Sequence, residues 1–234
     1  MELVTVIIPS HNRYEYLINA INSVKNQSYK KIEIIVVDDG STDQRYKTGF
    51  ENVKLVHLPI SSKKKIGYPC GAVQRNEGMK VAKGDYIAFL DDDDIWMPNK
   101  LEVQINEMKK KNIDMSCTDG YIGSGYYDPK SKYKIYNKEH YFKVLKKIYR
   151  IKKDFPEKFN LNFIKKHNSI ITSSICFKKE LYTKIGEMKL IRNGGEKING
   201  KKEWQDWEYW KRMLKYTDCL YIQKPLIYYD LKNN

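Results

Sequence analysis

Gly84-Asp85-Tyr86-Ile87-Ala88-Phe89-Leu90-Asp91-Asp92-Asp93-Asp94-Ile95-Trp96-Met97-Pro98 is the stretch on which the reading of this chain turns. Tyr86 to Leu90 is an apolar run too short for a helix, and it reads as a strand buried on both faces. Asp91 to Asp94 sit at its carboxyl end, and Pro98 reads as the proline that opens the next helix. Adjacent carboxylates repel, so a fold keeps such a group near a cation or in water. Open α/β sheets place ligands at the carboxyl ends of their strands. The acidic knot therefore reads as a site for a metal and a nucleotide.

Upstream, Leu3 to Ile8 reads as a buried strand stopped by Pro9, with Asn12 as the cap of a helix striped by Leu17, Ala20, Ile21 and Val24. Ile32 to Val37 is a second strand that ends in Asp38-Asp39-Gly40-Ser41-Thr42-Asp43, and Val53 to Leu58 a third. Lys63 to Lys65 and Gly67 mark a loop, and Ala72, Asn76, Met79 and Ala82 stripe a further helix. Alternating strands and helices at this spacing predict a mostly parallel sheet covered on both faces. Right-handed crossovers would bring the ends of the first, second and fourth strands to one edge, gathering His11, Asp38, Asp39 and Asp91 to Asp94.

Downstream, Leu101, Ile105 and Met108 define a helix, Ile113 to Cys117 a strand, and His140 to Tyr149 a helix within a Tyr-, Lys- and Gly-rich stretch. Ser169 to Phe177 is strand-like, Lys179 to Lys184 a short helix, and Gly186 to Lys202 a loop expected to close over a bound ligand. Glu203 to Tyr216 reads as a helix with Trp207, Trp210 and Leu214 on one face. Cys219 to Ile222 and Leu226 to Tyr229 read as two short closing strands. Neither a repeat nor a linker divides the 234 residues, which predicts one domain.

The formal charge of +14 is carried largely by lysine. It fits either a solvated surface or attraction to an anion such as a nucleotide, a phospholipid surface or nucleic acid. Cys70, Cys117, Cys176 and Cys219 stand too far apart for a zinc site and fit reduced thiols in a cytoplasmic protein. No signal peptide or membrane-length apolar run is evident, so the expectation is a soluble protein with scope for peripheral membrane contact.

An EF-hand counted from Asp91 needs glycine where Trp96 stands. No phosphate-binding Gly-x-x-x-x-Gly-Lys-Ser/Thr loop and no dinucleotide Gly-x-Gly-x-x-Gly occurs. What remains is a divalent ion held by few carboxylates, with coordination positions left for diphosphate oxygens. Asp38 to Asp43 alone could be a turn with Asx hydrogen bonds; the second acidic loop at the same edge favours a nucleotide pocket.

Together these residues resemble the family-2 glycosyltransferases of the GT-A fold. The resemblance rests on Val6 to Arg13, Val36 to Asp43, Arg75-Asn76-Glu77-Gly78, Gly84 to Ile87, Asp91 to Pro98 and the helix around Asp206. It implies a Rossmann-like sheet with a smaller acceptor-side region: a nucleotide-sugar half over 1–97 and an acceptor half over 98–234. It also implies a nucleotide-sugar donor, most often a UDP-sugar, with Mn2+ or Mg2+, and a glycan or glycoconjugate acceptor; nucleic acid is not expected.

By the same resemblance Pro9 and His11 lie at the base, Asp39 hydrogen-bonds it, and Arg75 makes a second base or phosphate contact. Asp92 holds the ribose, Asp93 is the metal ligand, and Asp91 orients it. Asp206 falls on the position of the catalytic base, Gln205 replaces the family's preceding glutamate, and Glu208 is the reserve. Trp204 is the candidate for stacking on a sugar. His11 could instead be a loop histidine and Arg75 a salt-bridge partner. The processive Gln-x-x-Arg-Trp motif is missing, so the expectation is inverting transfer of one hexosyl or N-acetylhexosaminyl group. A catalytically silent nucleotide- or carbohydrate-binding module is the rival reading.

Overall fold

The computed structural model describes residues 1–140, 142–150, 155–198 and 200–232. The chain begins with β1 (Val4–Ser10), α1 (Tyr14–Lys25), β2 (Ile32–Asp38) and β3 (Lys54–His57). Next come α2 (Ser62–Ile66), α3 (Gly71–Val81), β4 (Tyr86–Phe89), β5 (Ile95–Trp96) and α4 (Lys100–Lys111). The middle carries β6 (Met115–Gly123), β7 (Lys134–Ile135), α5 (Phe142–Tyr149), β8 (Lys158–Phe159), α6 (Leu161–Ile164), β9 (Cys176–Lys178) and α7 (Lys179–Ile185). A hairpin of β10 (Glu196–Ile198) and β11 (Lys201–Glu203) leads to α8 (Gln205–Met213) and β12 (Cys219–Asp230).

One sheet runs in the order β3-β2-β1-β4-β9-β6-β12-β5, with β7 beside β6 and β8 beside β12. The pairs β3–β2, β2–β1, β1–β4 and β6–β12 are parallel. The exception at the centre is β9, antiparallel to both β4 and β6. Alternate residues of β1 enter different cores: Ile7 packs with Ala72, Met79 and Phe89 under α3, while Val6 and Ile8 pack with Leu17, Ile21 and Leu101 under α1 and α4. Both faces are covered, which is why the strands are apolar without alternation.

Several sequence expectations are corrected. Pro9 does not stop β1, which pairs on through Pro9 opposite Val37 to Ser10 opposite Asp38. By strand alternation its missing N–H points toward β4, which has already ended at Phe89, so no ladder bond is lost. Asn12 is not a helix cap. It takes φ 53°, a left-handed conformation that asparagine tolerates, and its side chain accepts from Thr42 and Asp43 N–H.

Lys63 to Lys65 lie on the short α2, capped by Ser61 and ended by Gly67 at φ 84°. The helix after Pro98 starts at Lys100, and β5 lies between the acidic run and Pro98. Of Ser169 to Phe177 only the end is strand. The Gly186 to Lys202 loop contains the β10–β11 hairpin; its residue 199, like 151–154 of the preceding stretch, lies outside the described residues. The two closing strands are one, β12, with a register shift at Pro225. The four cysteines are buried and free. No helix among the described residues is long and apolar enough to cross a membrane.

Candidate active site

The carboxyl ends of β1, β2 and β4 open onto a cleft of about 620 Å³. Parallel pairing in register puts Ser10 beside Asp38 and carries the loops after β1 and β4 to the same rim. Pro9, His11, Asp39, Arg75, Asp91, Asp92 and Asp93 line it from the first half of the chain, and Trp204, Gln205 and Asp206 from the start of α8. Glu208 is absent from the lining. Two residues after Asp206, and so on the opposite side of α8, it faces away into ion pairs with Lys189 at 2.9 Å and Arg212 at 3.1 Å, so the reserve-base position is corrected. Asp38 likewise turns inward and accepts from His57 Nδ1 at 2.6 Å and Ser41 N–H at 3.0 Å.

The four aspartates after β4 have four environments. Arg75, buried in the cleft floor with its guanidinium over the Phe89 ring, pairs with Asp91. Asp92 accepts from Ser10 Oγ at 2.7 Å and from Arg13 Nη1 at 3.3 Å, and burial pushes its carboxyl up to about 6. Asp93 accepts from Arg13 Nη1 at 2.7 Å; burial, then repulsion from Asp91 and Asp92, raises its carboxyl. Asp94 is fully buried behind the cleft, where it accepts from Asp230 N–H at 2.9 Å.

Asp39 accepts from both the N–H and the hydroxyl of Ser62 at 2.7 Å, so α2 fixes the carboxylate in place. His11 donates from Nδ1 to the Asp39 carbonyl at 3.0 Å, while its Nε2 accepts from Asn12 at 3.3 Å. Opposite them, the Asp206 carboxylate accepts from Asn168 Nδ2 at 2.8 Å and Thr172 Oγ1 at 3.3 Å. Burial lifts this carboxyl above the usual range; the Trp207 N–H, Asn168 and the Arg75 charge pull the other way. A carboxylate with a raised pKa, wedged at a cleft wall, suits a general base.

Gln205 does not point a free amide at the cleft. Its oxygen accepts from Ala72 N–H at the head of α3, and its NH2 donates to Asn193 Oδ1 at 2.8 Å. Trp204 lines the cleft under Gly195, whose φ of 79° and contact with the indole leave no room for a Cβ. Trp210 is helix core, as expected, and Asn76 exchanges two hydrogen bonds with the Met188 backbone.

The sequence reading missed Arg13, Asn168 and Thr172. Arg13 was within reach of it, being a cation two residues from His11 at the rim where acidic loops converge. Asn168 and Thr172 belong to a segment with no periodicity to place it.

Among the described residues no group of three or more His, Cys, Asp or Glu is arranged to hold a metal. The donor set nonetheless fits an ion that takes most of its ligands from diphosphate and water. Asp93 Oδ1 is buried with no hydrogen-bond partner, while Arg13 Nη1 meets Oδ2, so one oxygen of this carboxylate is open to a cation.

The sequence of residues 5–179 matches the model of the family described as glycosyl transferase family 2. The chain belongs to that family. Among its curated family relatives is UDP-Glc:alpha-D-GlcNAc-diphosphoundecaprenol beta-1,3-glucosyltransferase WfaP of Escherichia coli, 37% identical over 125 residues, or 52% of this chain and 47% of that protein. The match spans about half the length of this and similar curated relatives, and less than a fifth of the length of others. Among solved structures, Staphylococcus aureus TarS 1–349 in complex with UDP-GlcNAc superposes with TM-score 0.67 at 20% identity, covering 97% of this chain and 58% of that one. The mannosyltransferase PcManGT of Pyrobaculum calidifontis, in complex with GDP-Man and Mn2+, gives TM-score 0.59 at 16% identity over 96% and 55%. These likenesses show the GT-A fold.

Proposed function

We propose that this family-2 chain transfers one sugar, with inversion, from a UDP-sugar to a hydroxyl of a glycan, lipid or protein acceptor. The observation that carries the reading is the shared cleft: Asp206 on one wall, with Arg75, Asp39 and Asp91 to Asp93 on the other. WfaP, by its name, uses UDP-Glc and a diphosphoundecaprenol-linked GlcNAc, which supports a UDP-hexose donor and a lipid-linked glycan acceptor here.

In this reading Pro9, His11 and Asp39 receive the base, and Asp92 the ribose. Arg75 meets the base or a phosphate while holding Asp91 in line. Asp93 would hold Mn2+ or Mg2+, which when bound neutralises charge on the departing diphosphate. Asp206, oriented by Asn168 and Thr172, accepts the proton of the acceptor hydroxyl as that oxygen attacks the anomeric carbon. Trp204 offers its ring to a sugar. Residues 1–97 serve the donor and 98–234 the acceptor within one domain.

The test is a screen of nucleotide sugars for slow hydrolysis with and without Mn2+, since hydrolysis needs no acceptor. Metal-stimulated release of UDP from one of them is the expected result. Release of diphosphate instead, or tight UDP binding with no turnover of any sugar nucleotide, would overturn the proposal.

A further inference from the structure

Charge is not spread evenly along this chain. Residues 138–166 hold ten lysines and arginines against three carboxylates, a net +7 and half of the whole +14. At about 100° per helical residue, Lys143, Lys146 and Lys147 fall within an arc of about 100°, and Arg150 follows directly after α5, where the backbone turns left-handed at φ 54°. All four are exposed. Among the described residues, no salt bridge engages any of them. Leu145, on another side of the helix, is fully buried, and Phe142 packs on the same core. The core therefore fixes which way the cations point.

We propose that this cationic face docks on an anionic lipid bilayer. Contact is chiefly electrostatic, at headgroup level, because Leu145 and Phe142 are committed to the protein core and Ile148 is the one exposed apolar side chain among the described side chains of α5. A bilayer suits the face better than nucleic acid does. Nucleic-acid sites add stacking aromatic rings to their cations, whereas Phe142, the ring beside Lys146, packs on the protein core.

The face is also built onto the Asp206 side of the cleft. Tyr136 and Asn168, which flank this segment in sequence, both line the cleft, and Leu145 shares its core with Ile164 and Ile170. Docking would set that wall against the membrane, where a lipid-linked acceptor presents its sugar; this last step rests on the proposed function, and the docking itself does not.

The test is flotation of the full chain with vesicles of phosphatidylcholine alone and of phosphatidylcholine mixed with phosphatidylglycerol. Binding is expected only to the mixed vesicles and is expected to be released by salt. The variant Lys143→Gln, Lys146→Gln, Lys147→Gln, Arg150→Gln should bind roughly 10²–10³-fold more weakly, at about fivefold per cation removed. A control with the same charge change elsewhere, Lys25→Gln, Lys30→Gln, Lys31→Gln, Lys110→Gln, should retain most of the binding. Thermal melts confirm that both variants fold.

The proposal is overturned if mixed vesicles do not bind, if the control loses as much as the α5 variant, or if a short duplex DNA strips the protein from vesicles at stoichiometric amounts. Acceptor-free hydrolysis of the sugar nucleotide is measured alongside. Its absence would count against the proposed chemistry and leave the vesicle result to be judged by itself.

Discussion

Gln205 and Asn193 share a hydrogen bond of 2.8 Å, side-chain amide to side-chain oxygen, while the other end of Gln205 receives the Ala72 N–H. One neutral side chain thereby straps the Gly-bearing segment before β10 to the head of α3. Only a carboxamide can do both, since an ionised glutamate accepts and does not donate. Gln205→Glu is expected to leave Asn193 held only by the Gly71 N–H and the Pro69 carbonyl and to raise amide exchange over residues 189–195, with α3 unchanged. Exchange rates equal to those of the parent protein would show that the strap carries no load.

Asp206→Asn keeps the hydrogen bond from Thr172 but removes the proton acceptor. Transfer should fall by about 10²–10⁴-fold while UDP affinity stays within a factor of two or so. The pH profile gives a second handle. Because burial raises the Asp206 carboxyl, the group is still protonated at pH values where a surface carboxylate has ionised. Activity should therefore climb with pH through a midpoint above about 4. A midpoint at or below that of a free aspartate would remove Asp206 from the role.

Arg13 is the cation that Asp92 and Asp93 share. Arg13→Ala leaves two buried carboxylates facing each other. The ligand-free variant is expected to melt earlier than the parent, and Mn2+ to raise its melting temperature by more than it raises the parent's. Equal Mn2+ shifts in the two proteins would mean that no ion binds where the guanidinium reaches.

Lys100 is fully buried, its ammonium 3.8 Å from the Trp96 ring centre and 2.6 Å from Gln104 Oε1, and burial pulls it down to about 7. Between pH 7 and its unfolded value near 10.4, the unfolded chain binds a proton that the folded one does not. Stability should therefore rise with pH across that window by about 1.4 kcal/mol per unit, a slope absent from Lys100→Met. Denaturant melts at three pH values decide it.

Gly78 stands in α3 where an added Cβ would come within 2.5 Å of Ile7 Cγ2. Gly78→Ala gains about 1 kcal/mol of helix propensity. It should still destabilise the protein by about 1–3 kcal/mol, through overpacking against β1. A stabilised variant would show that β1 can yield.

Legibility in the sequence followed the range of the interactions. β1, β2 and β4 were readable as short unbroken apolar runs around Ile7, Val36 and Phe89, and α3 and α4 because Met79 and Leu101 sit on faces that helical periodicity reveals. The acidic rim was readable because charge beside a buried strand has few uses. What could not be read depends on partners far away in the chain: Arg13 meets Asp93 across 80 positions, and Gln205 meets Ala72 across 133. The antiparallel insertion of β9 also left no local mark, since a three-residue strand carries too few side chains to show a period.

The bond from the Asp230 backbone to Asp94 links positions 136 residues apart, and β12 also pairs with β5 immediately after the acidic run. A nascent chain that has emerged only as far as α8 would own every cleft aspartate and still lack the strand that seals their rear. Competence to hold a sugar nucleotide should then arrive abruptly, once β12 has emerged, instead of growing with each added segment.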